Sequence, residues 1–422
     1  MAMNISSPIF SDRERLSETL FRLCRVSLLT LIIILPMEAI TAAREVAMAG
    51  FAFLLAASYA ARGDWTFRKS ALFLPLAFYA FCAVFSLVSA VDFGYSLSEV
   101  RSEIIKPLII FYAALHFVHD EGLLRQALAA VVAGAAIMTF MGVALFFVDG
   151  GSLLHHDLRA GSLHNGYGTF STYLVTIWPY LLISPLVFTE RRQRRLIAAV
   201  AVCAVLAAYL SYSRACWLSM LVELVLMVIV FSRQRLRIAA VGLLVLALLA
   251  ASLLLLPGSR HGEDWRALDR IVSDPEEVGG TAGDLVTVWR HTIAQIARRP
   301  LEGVGLGRNS FSKAFPEFRD SNQPLLWHAH NMFLDAAVQM GLQGLLALLW
   351  LLGLAFWSCW PKAPPAAGRV GDLFKAATAV MIAGFALRNM SDDFFADDSA
   401  LMVYLLIGLA MGAIEAGRRA KQ

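Results

Sequence analysis

Two histidines and a few arginines carry the types and spacing that could do chemistry in this chain. His328 and His330 stand in Trp327-His328-Ala329-His330-Asn331, where a long polar stretch returns to apolar sequence. Imidazole can serve as a general base near neutral pH. Arg214 lies in Ser211-Tyr212-Ser213-Arg214-Ala215, between two apolar runs with almost no polar loop. An arginine at the centre of a membrane span costs roughly 2.5–3.5 kcal/mol on insertion scales and less near the interface. At the interface it either snorkels or grips an anion with its planar fork of donors, and the residue alone leaves both readings open. Arg290 sits on a helix-patterned segment, where a lone arginine usually reads as a solvated face residue. Gly303-Val304-Gly305-Leu306-Gly307 could offer backbone N–H groups to a phosphate. No strand clearly precedes it and no Lys-Ser/Thr follows, so a tight turn is its commoner use.

The elements that must position these residues are membrane spans. Of the 422 residues, 58% are hydrophobic and 16% charged, against about 25% charged in soluble domains. Apolar runs of spanning length recur, which predicts an all-α polytopic membrane protein and disfavours a β-barrel, whose strands would alternate in short segments. About twelve spans are expected, near 24–40, 43–61, 71–91, 104–118, 126–148, 167–188, 196–212, 215–231, 238–256, 332–360, 373–387 and 399–414. The domain organisation that follows is helices over 1–256, a large polar loop over 257–330, and the last three helices with a short tail over 331–422.

With the N-terminus in the cytoplasm, most Lys and Arg fall on the cytoplasmic side, including Arg191-Arg192-Gln193-Arg194-Arg195. The short loops and span ends opposite hold only Arg44, Arg101, Lys106, Arg159, Arg214 and Arg388. Short loops set orientation, so both termini are expected in the cytoplasm and the long loop on the far side. That loop is nearly neutral, and nothing suggests nucleic-acid binding. No cleavable signal peptide is visible ahead of the first span. The cysteines, Cys24, Cys82, Cys203, Cys216 and Cys359, avoid the loop, so neither a disulfide framework nor a zinc site is indicated.

Within the loop, Asp284 is placed to N-cap a helix running to about Arg298. Leu285, Val288, Trp289, Thr292 and Ile296 give it an amphipathic face suited to the bilayer surface. At about 100° per residue, His330, Ala337, Gly341 and Gly344 would share one face of the following helix, and small residues there admit a close neighbour. Asp392, Asp393, Asp397 and Asp398 form an acidic external loop after Arg388; it has no histidine, so a solvated turn is favoured over a metal site. His155, His156 and His164 lack helical ligand spacing.

His330-Asn331, nine residues, then Gly341-Leu342-Gln343-Gly344 resembles the His-Asn and Gly-x-x-Gly signature of the O-antigen ligase and polymerase superfamily, where it follows a large periplasmic loop. Ser211-Tyr212-Ser213-Arg214 is similar to that family's Ser-x-Ser-Arg element. Arg290 followed by Pro300-Leu301-Glu302-Gly303-Val304-Gly305 is similar to its loop segment.

The resemblance implies a metal-independent, cofactor-free, inverting glycosyltransferase of the bacterial inner membrane, with its site facing the periplasm. The implied donor is a glycan on undecaprenyl diphosphate and the implied acceptor a hydroxyl of lipid A–core oligosaccharide. It implies His330 as base, Arg214 and Arg290 on the diphosphate, and Arg159, Arg388, His328, Asn331, Gly303 and Gly305 as substrate contacts. The same signature occurs in O-antigen polymerases and protein O-oligosaccharyltransferases. The lack of a second large external loop and the short C-terminal tail favour a ligase among these. A lipid-linked glycan transporter is the competing class, but it would place polar residues at mid-span rather than at the external ends.

Overall fold

A computed structural model describes residues 8–63, 68–153, 158–164, 166–234, 280–319 and 327–419. The expected span over 238–256, the start of the long loop, and His155 and His156 lie outside the described residues. Those described are helical, with no strand among them. In chain order the helices are α1 (Pro8–Ile34), α2 (Thr41–Arg62), α3 (Phe73–Phe85), α4 (Phe93–Glu99), α5 (Lys106–Phe117), α6 (Glu121–Val148), α7 (Tyr167–Val187), α8 (Arg191–Leu210) and α9 (Arg214–Phe231). After the undescribed stretch come α10 (Gly280–Arg298), α11 (Arg308–Ala314), α12 (Pro316–Arg319), α13 (Met332–Cys359), α14 (Val370–Arg388) and α15 (Asp397–Arg419).

Among the described residues, 8 helices are long and apolar enough to cross a membrane by length and composition. Every expected span apart from 238–256 meets a helix, with two adjustments. The first helix ends at Ile34 rather than near residue 40, because Pro36 follows and Glu38–Ile40 form a separate 3-10 turn that leads into α2. The fourth is longer than its apolar run: Asp92 caps α4 by accepting from the Tyr95 N–H at 3.0 Å, and a π-type stretch over Val100–Ile105 carries the helix into α5 at Pro107.

Close packing relies on small residues and on hydroxyls that bond to backbone. Ser17 Oγ donates to the Ser58 carbonyl at 2.8 Å and Ser27 Oγ to that of Ala47 at 2.9 Å, which ties α1 to α2. A Cβ on Gly408 would meet the Phe111 carbonyl at 2.6 Å, so α15 approaches α5 closely only with glycine there. Around these contacts runs one continuous apolar core through the bundle.

The described part of the polar segment before α13 docks on the bundle. α10 starts at Gly280, so Asp284 falls within the helix and not at its cap. Its apolar stripe is buried in protein: Val288 joins Phe311, Phe318 and Val338 in a small core flanked by Trp289, Ile296, Val304 and Phe315. Val338 belongs to α13, so this core shares a wall with the membrane helices.

A break in α13 makes that docking possible. Gly341 has φ 77° and ψ 176°, a backbone region open almost solely to glycine. The helix hydrogen-bond ladder is interrupted there, and the glycine-rich segment takes up the released groups. The N–H groups of Val304 and Gly305 donate to the carbonyls of Val338 and Gln339 at 2.9 and 3.1 Å, and the Leu342 N–H donates to the Pro300 carbonyl at 2.8 Å. Gln343 Nε2 adds a bond to the Leu301 carbonyl at 2.8 Å. The expected common face of His330, Ala337, Gly341 and Gly344 does not exist. His330 precedes the helix with φ 46°, and Gly341 interrupts the 100° periodicity.

Candidate active site

His330 is held at one end of the bundle by the segment joining α14 to α15. Its Nδ1 lies 3.1 Å from Asp392 Oδ1. A carboxylate only accepts, so this contact assigns the proton to Nδ1 and the lone pair to Nε2. Asp392 Oδ1 also accepts from the Asp393 N–H at 3.0 Å, and its Oδ2 faces the Arg388 guanidinium at 3.9 Å. Burial works against the Asp392 charge, but the His330 hydrogen bond and the Arg388 charge outweigh it and hold the carboxyl below its usual range.

The backbone around His330 is equally constrained. The Met332 N–H donates to the carbonyls of Asn389 and Asp392 at 2.9 and 3.0 Å. Asn331 is the N-cap of α13: its Oδ1 accepts from the N–H groups of Phe333 and Leu334 at 3.0 and 3.2 Å, and its Nδ2 donates to the Met390 carbonyl at 2.8 Å. Both ends of the amide are thus occupied within the protein, as expected of an asparagine heading an apolar helix.

The His328 ring lies against that of His330, with centroids 3.7 Å apart and planes tilted by 33°, and its Nδ1 lies 3.1 Å from Asp335 Oδ2. Burial disfavours the His328 cation, yet Asp335, with Asp393 and Asp392 further off, raises its pKa on balance. When Nδ1 carries the proton it donates to Asp335, and the His330 N–H, 3.2 Å away, is a contact rather than a hydrogen bond. His328, His330 and Asp392 bring potential ligand atoms within 4.8 Å of one another. The acidic loop has no histidine in sequence, but the fold brings two to it. A cation there would compete for Nδ1 atoms that already face carboxylates.

Arg388 is buried, with its Nη2 donating to Ser171 Oγ at 3.2 Å and the Gly168 carbonyl at 3.4 Å, and its guanidinium 5.0 Å from the Phe394 ring centre. It stands behind Asp392. Ser171 in turn accepts, through its carbonyl, from Cys216 Sγ at 3.4 Å, which fixes the start of α9 beside α7. Ser213 caps α9 through the Cys216 N–H at 3.4 Å, so Arg214 is the first helical residue and is exposed.

Arg290 is exposed on α10, whose Trp289 Nε1 donates to the Ala329 carbonyl at 2.7 Å, next door to His330. Neither Arg214 nor Arg290 has a hydrogen-bond or ion-pair partner among the described residues. Arg159 is exposed and covers the Tyr167 ring at 4.4 Å; the next residue, Ala160, ties its loop to the end of α8 by donating to the Leu210 carbonyl at 2.9 Å.

The glycine-rich segment packs closely against the bundle. A Cβ on Gly303 would fall 1.9 Å from the Gln339 carbonyl oxygen, and Gly305 has φ 101° against Ser96 and Ala90. The N–H groups of Val304, Gly305 and Gly307 are spent on Val338, Gln339 and the Gln339 side chain. The segment is a packing wedge. Sequence reasoning missed Asp335 and Arg308. Asp335 follows His328 by seven residues across a helix cap, a spacing with no periodic signal, and Arg308 was one of many loop charges.

The stretch from α8 through the break in α13 contains Arg214, Arg290, His330 and Gly341. Residues 199–349 match the O-antigen ligase family. That matched segment supports a place in the O-antigen ligase superfamily. No curated protein matches the chain. The O-antigen ligase family match supports, in general terms, a glycosyltransferase-like enzyme of ligase or polymerase type, and the apolar helices make it a multi-pass membrane protein. Arg388 and Asp392, which hold the proposed base from behind, lie beyond the matched O-antigen ligase segment.

Proposed function

We propose that this chain is an inner-membrane O-antigen ligase that works at the periplasmic face with both termini in the cytoplasm. It transfers glycan from undecaprenyl diphosphate to a hydroxyl of lipid A–core oligosaccharide with inversion at the anomeric carbon. The observation that carries the reading is the His330–Asp392 contact of 3.1 Å, in a bundle that also presents two exposed guanidiniums with no partner among the described residues.

His330 Nε2 removes the acceptor hydroxyl proton as its oxygen bonds to the anomeric carbon. The bond from that carbon to the diphosphate oxygen breaks, and the electron pair leaves with the diphosphate. Arg214 and Arg290 meet the charge that develops there, in place of a general acid or a metal ion. Asp392 stabilises the imidazolium, Arg388 positions Asp392, and His328 with Asn331 sets the backbone that aims the ring. Arg159, on the loop tied to the end of α8, is assigned to the substrate glycan. Both substrates are lipids and reach the site by diffusion in the bilayer.

Deleting the gene and examining lipopolysaccharide on a gel tests this reading. A ligase predicts loss of long-chain lipopolysaccharide while undecaprenyl-linked polymer accumulates. Loss of the polymer itself would assign a polymerase, and an unchanged gel would exclude both. In purified protein, His330→Ala should bind donor and lose transfer by about 10²–10⁴-fold, the usual contribution of a positioned base.

A further inference from the structure

A cavity of about 300 Å³ opens at the same end of the bundle, and none of the site residues expected from sequence lines it. Two ion pairs span it. The inner pair joins Arg44, near the start of α2, to Asp398 of α15, with side chains only 10% and 16% exposed. The outer pair joins Arg308 to Asp397 at 2.6 Å, with Asp397 68% exposed.

Phe394 forms a wall shared with the reaction centre: one neighbour of its ring is the Arg388 guanidinium, and its N–H is held by Asn389 Oδ1 at 2.6 Å. Gly168 makes room for it, since a Cβ there would fall 2.6 Å from Phe394 Cζ. Arg308 also reaches the Asp393 carbonyl at 3.4 Å, beside Asp392.

We propose that this cavity is a subsite for an uncharged sugar ring of one of the two glycan substrates. The inference rests on the transfer reading and adds a place where a ring is held. Glu38, Asp397 and Asp398 oppose Arg44 and Arg308, so carboxylates outnumber guanidiniums and a phosphate would be repelled. Sugar hydroxyls donate and accept, and they match a wall that offers both kinds of group with Thr41, Thr169 and Ser399 between them. Phe394 supplies a flat apolar face for the ring's C–H side.

The volume lies at the small end of the usual ligand range of about 300–1,000 Å³, which suits one or two rings and not a lipid chain. Two features mark a built site. Arg44 is held by Asp398 with its Nε buried and without an acceptor among the described residues. Asp397 adopts φ 50°, a left-handed conformation kept where its side chain meets Arg308.

The test is saturation-transfer NMR on the full-length protein in detergent, with two neutral probes. One is core oligosaccharide released from lipid A and dephosphorylated; the other is glycan released from its lipid diphosphate. Thr169→Trp fills the cavity and leaves its charges in place. It should weaken one probe by about tenfold or more, the loss expected from an unmade charge-assisted bond. It should also raise KM for the parent substrate while kcat holds. Arg308→Gln, the second variant, should weaken the same probe. The probe affected names donor or acceptor. Failure of both probes to bind the wild-type protein, or equal binding in both variants, overturns the subsite. Binding that the variants abolish, in a protein that transfers nothing, keeps the subsite and removes the transfer reading.

Discussion

His330 Nδ1 and Asp392 Oδ1 meet at 3.1 Å although 62 residues separate them. The contact gives the imidazole its tautomer and a counter-charge. Asp392→Asn keeps the shape and removes the charge. Transfer should fall by about 10²-fold or more with donor binding retained. A wild-type rate in this variant would remove the dyad from the mechanism.

Arg214 and Arg290 are exposed and have no partner among the described residues, so stability should not depend on them. Replacing either by Ala should leave the melting temperature unchanged. A lost charge-assisted bond of about 1.5–3 kcal/mol should lower transfer by about 10–100-fold. Lysine should restore part of this, as a charge without the fork. A large drop in melting temperature would show the arginines to be structural.

The glycine wedge predicts the opposite pattern. Gly341→Ala forces alanine into a glycine-only region at a cost of about 1–3 kcal/mol. Gly303→Ala drives a methyl into the Gln339 carbonyl. Both should make the 300–340 region more sensitive to protease. Unchanged digestion would mean that the loop does not dock at the break.

Asp393 sets a pH dependence. Burial, together with the Asp335 charge, pushes its carboxyl up to about 6 against the pull of Arg308 and His328. The folded state therefore binds this proton more tightly than the unfolded chain. The linked stability is complete below about pH 4 and is lost as pH rises through about 6. Asp393→Asn keeps the acceptor for the Phe395 N–H and removes the titration. It should melt higher than wild type at about pH 7.5, with the difference closing near pH 4. Equal melting at both would refute the shift.

His328, His330 and Asp392 make a chelator experiment informative. Transfer by guanidiniums and a base should survive EDTA unchanged. Loss on chelation, restored by a divalent ion, would place a cation on that triad.

Composition and run length alone determined that this is a bundle of membrane helices, because apolar spans long enough to cross a bilayer have few other uses. The unusual positions of His330 and Arg214 were legible for a similar local reason, whereas the one cap expected from sequence, Asp284, falls inside a helix. Tertiary structure decided what these residues meet. Only folding brings α14 and α15 beside His330, so Asp392 reads as a solvated acid in sequence and as the partner of the base in space. The same holds for Arg388, which is buried behind Asp392, and for the N–H groups of Val304, Gly305 and Gly307, which bond to α13. Whether a backbone donor is available depends on which carbonyls lie nearby, and those were released by a break in α13 that helical periodicity cannot reveal.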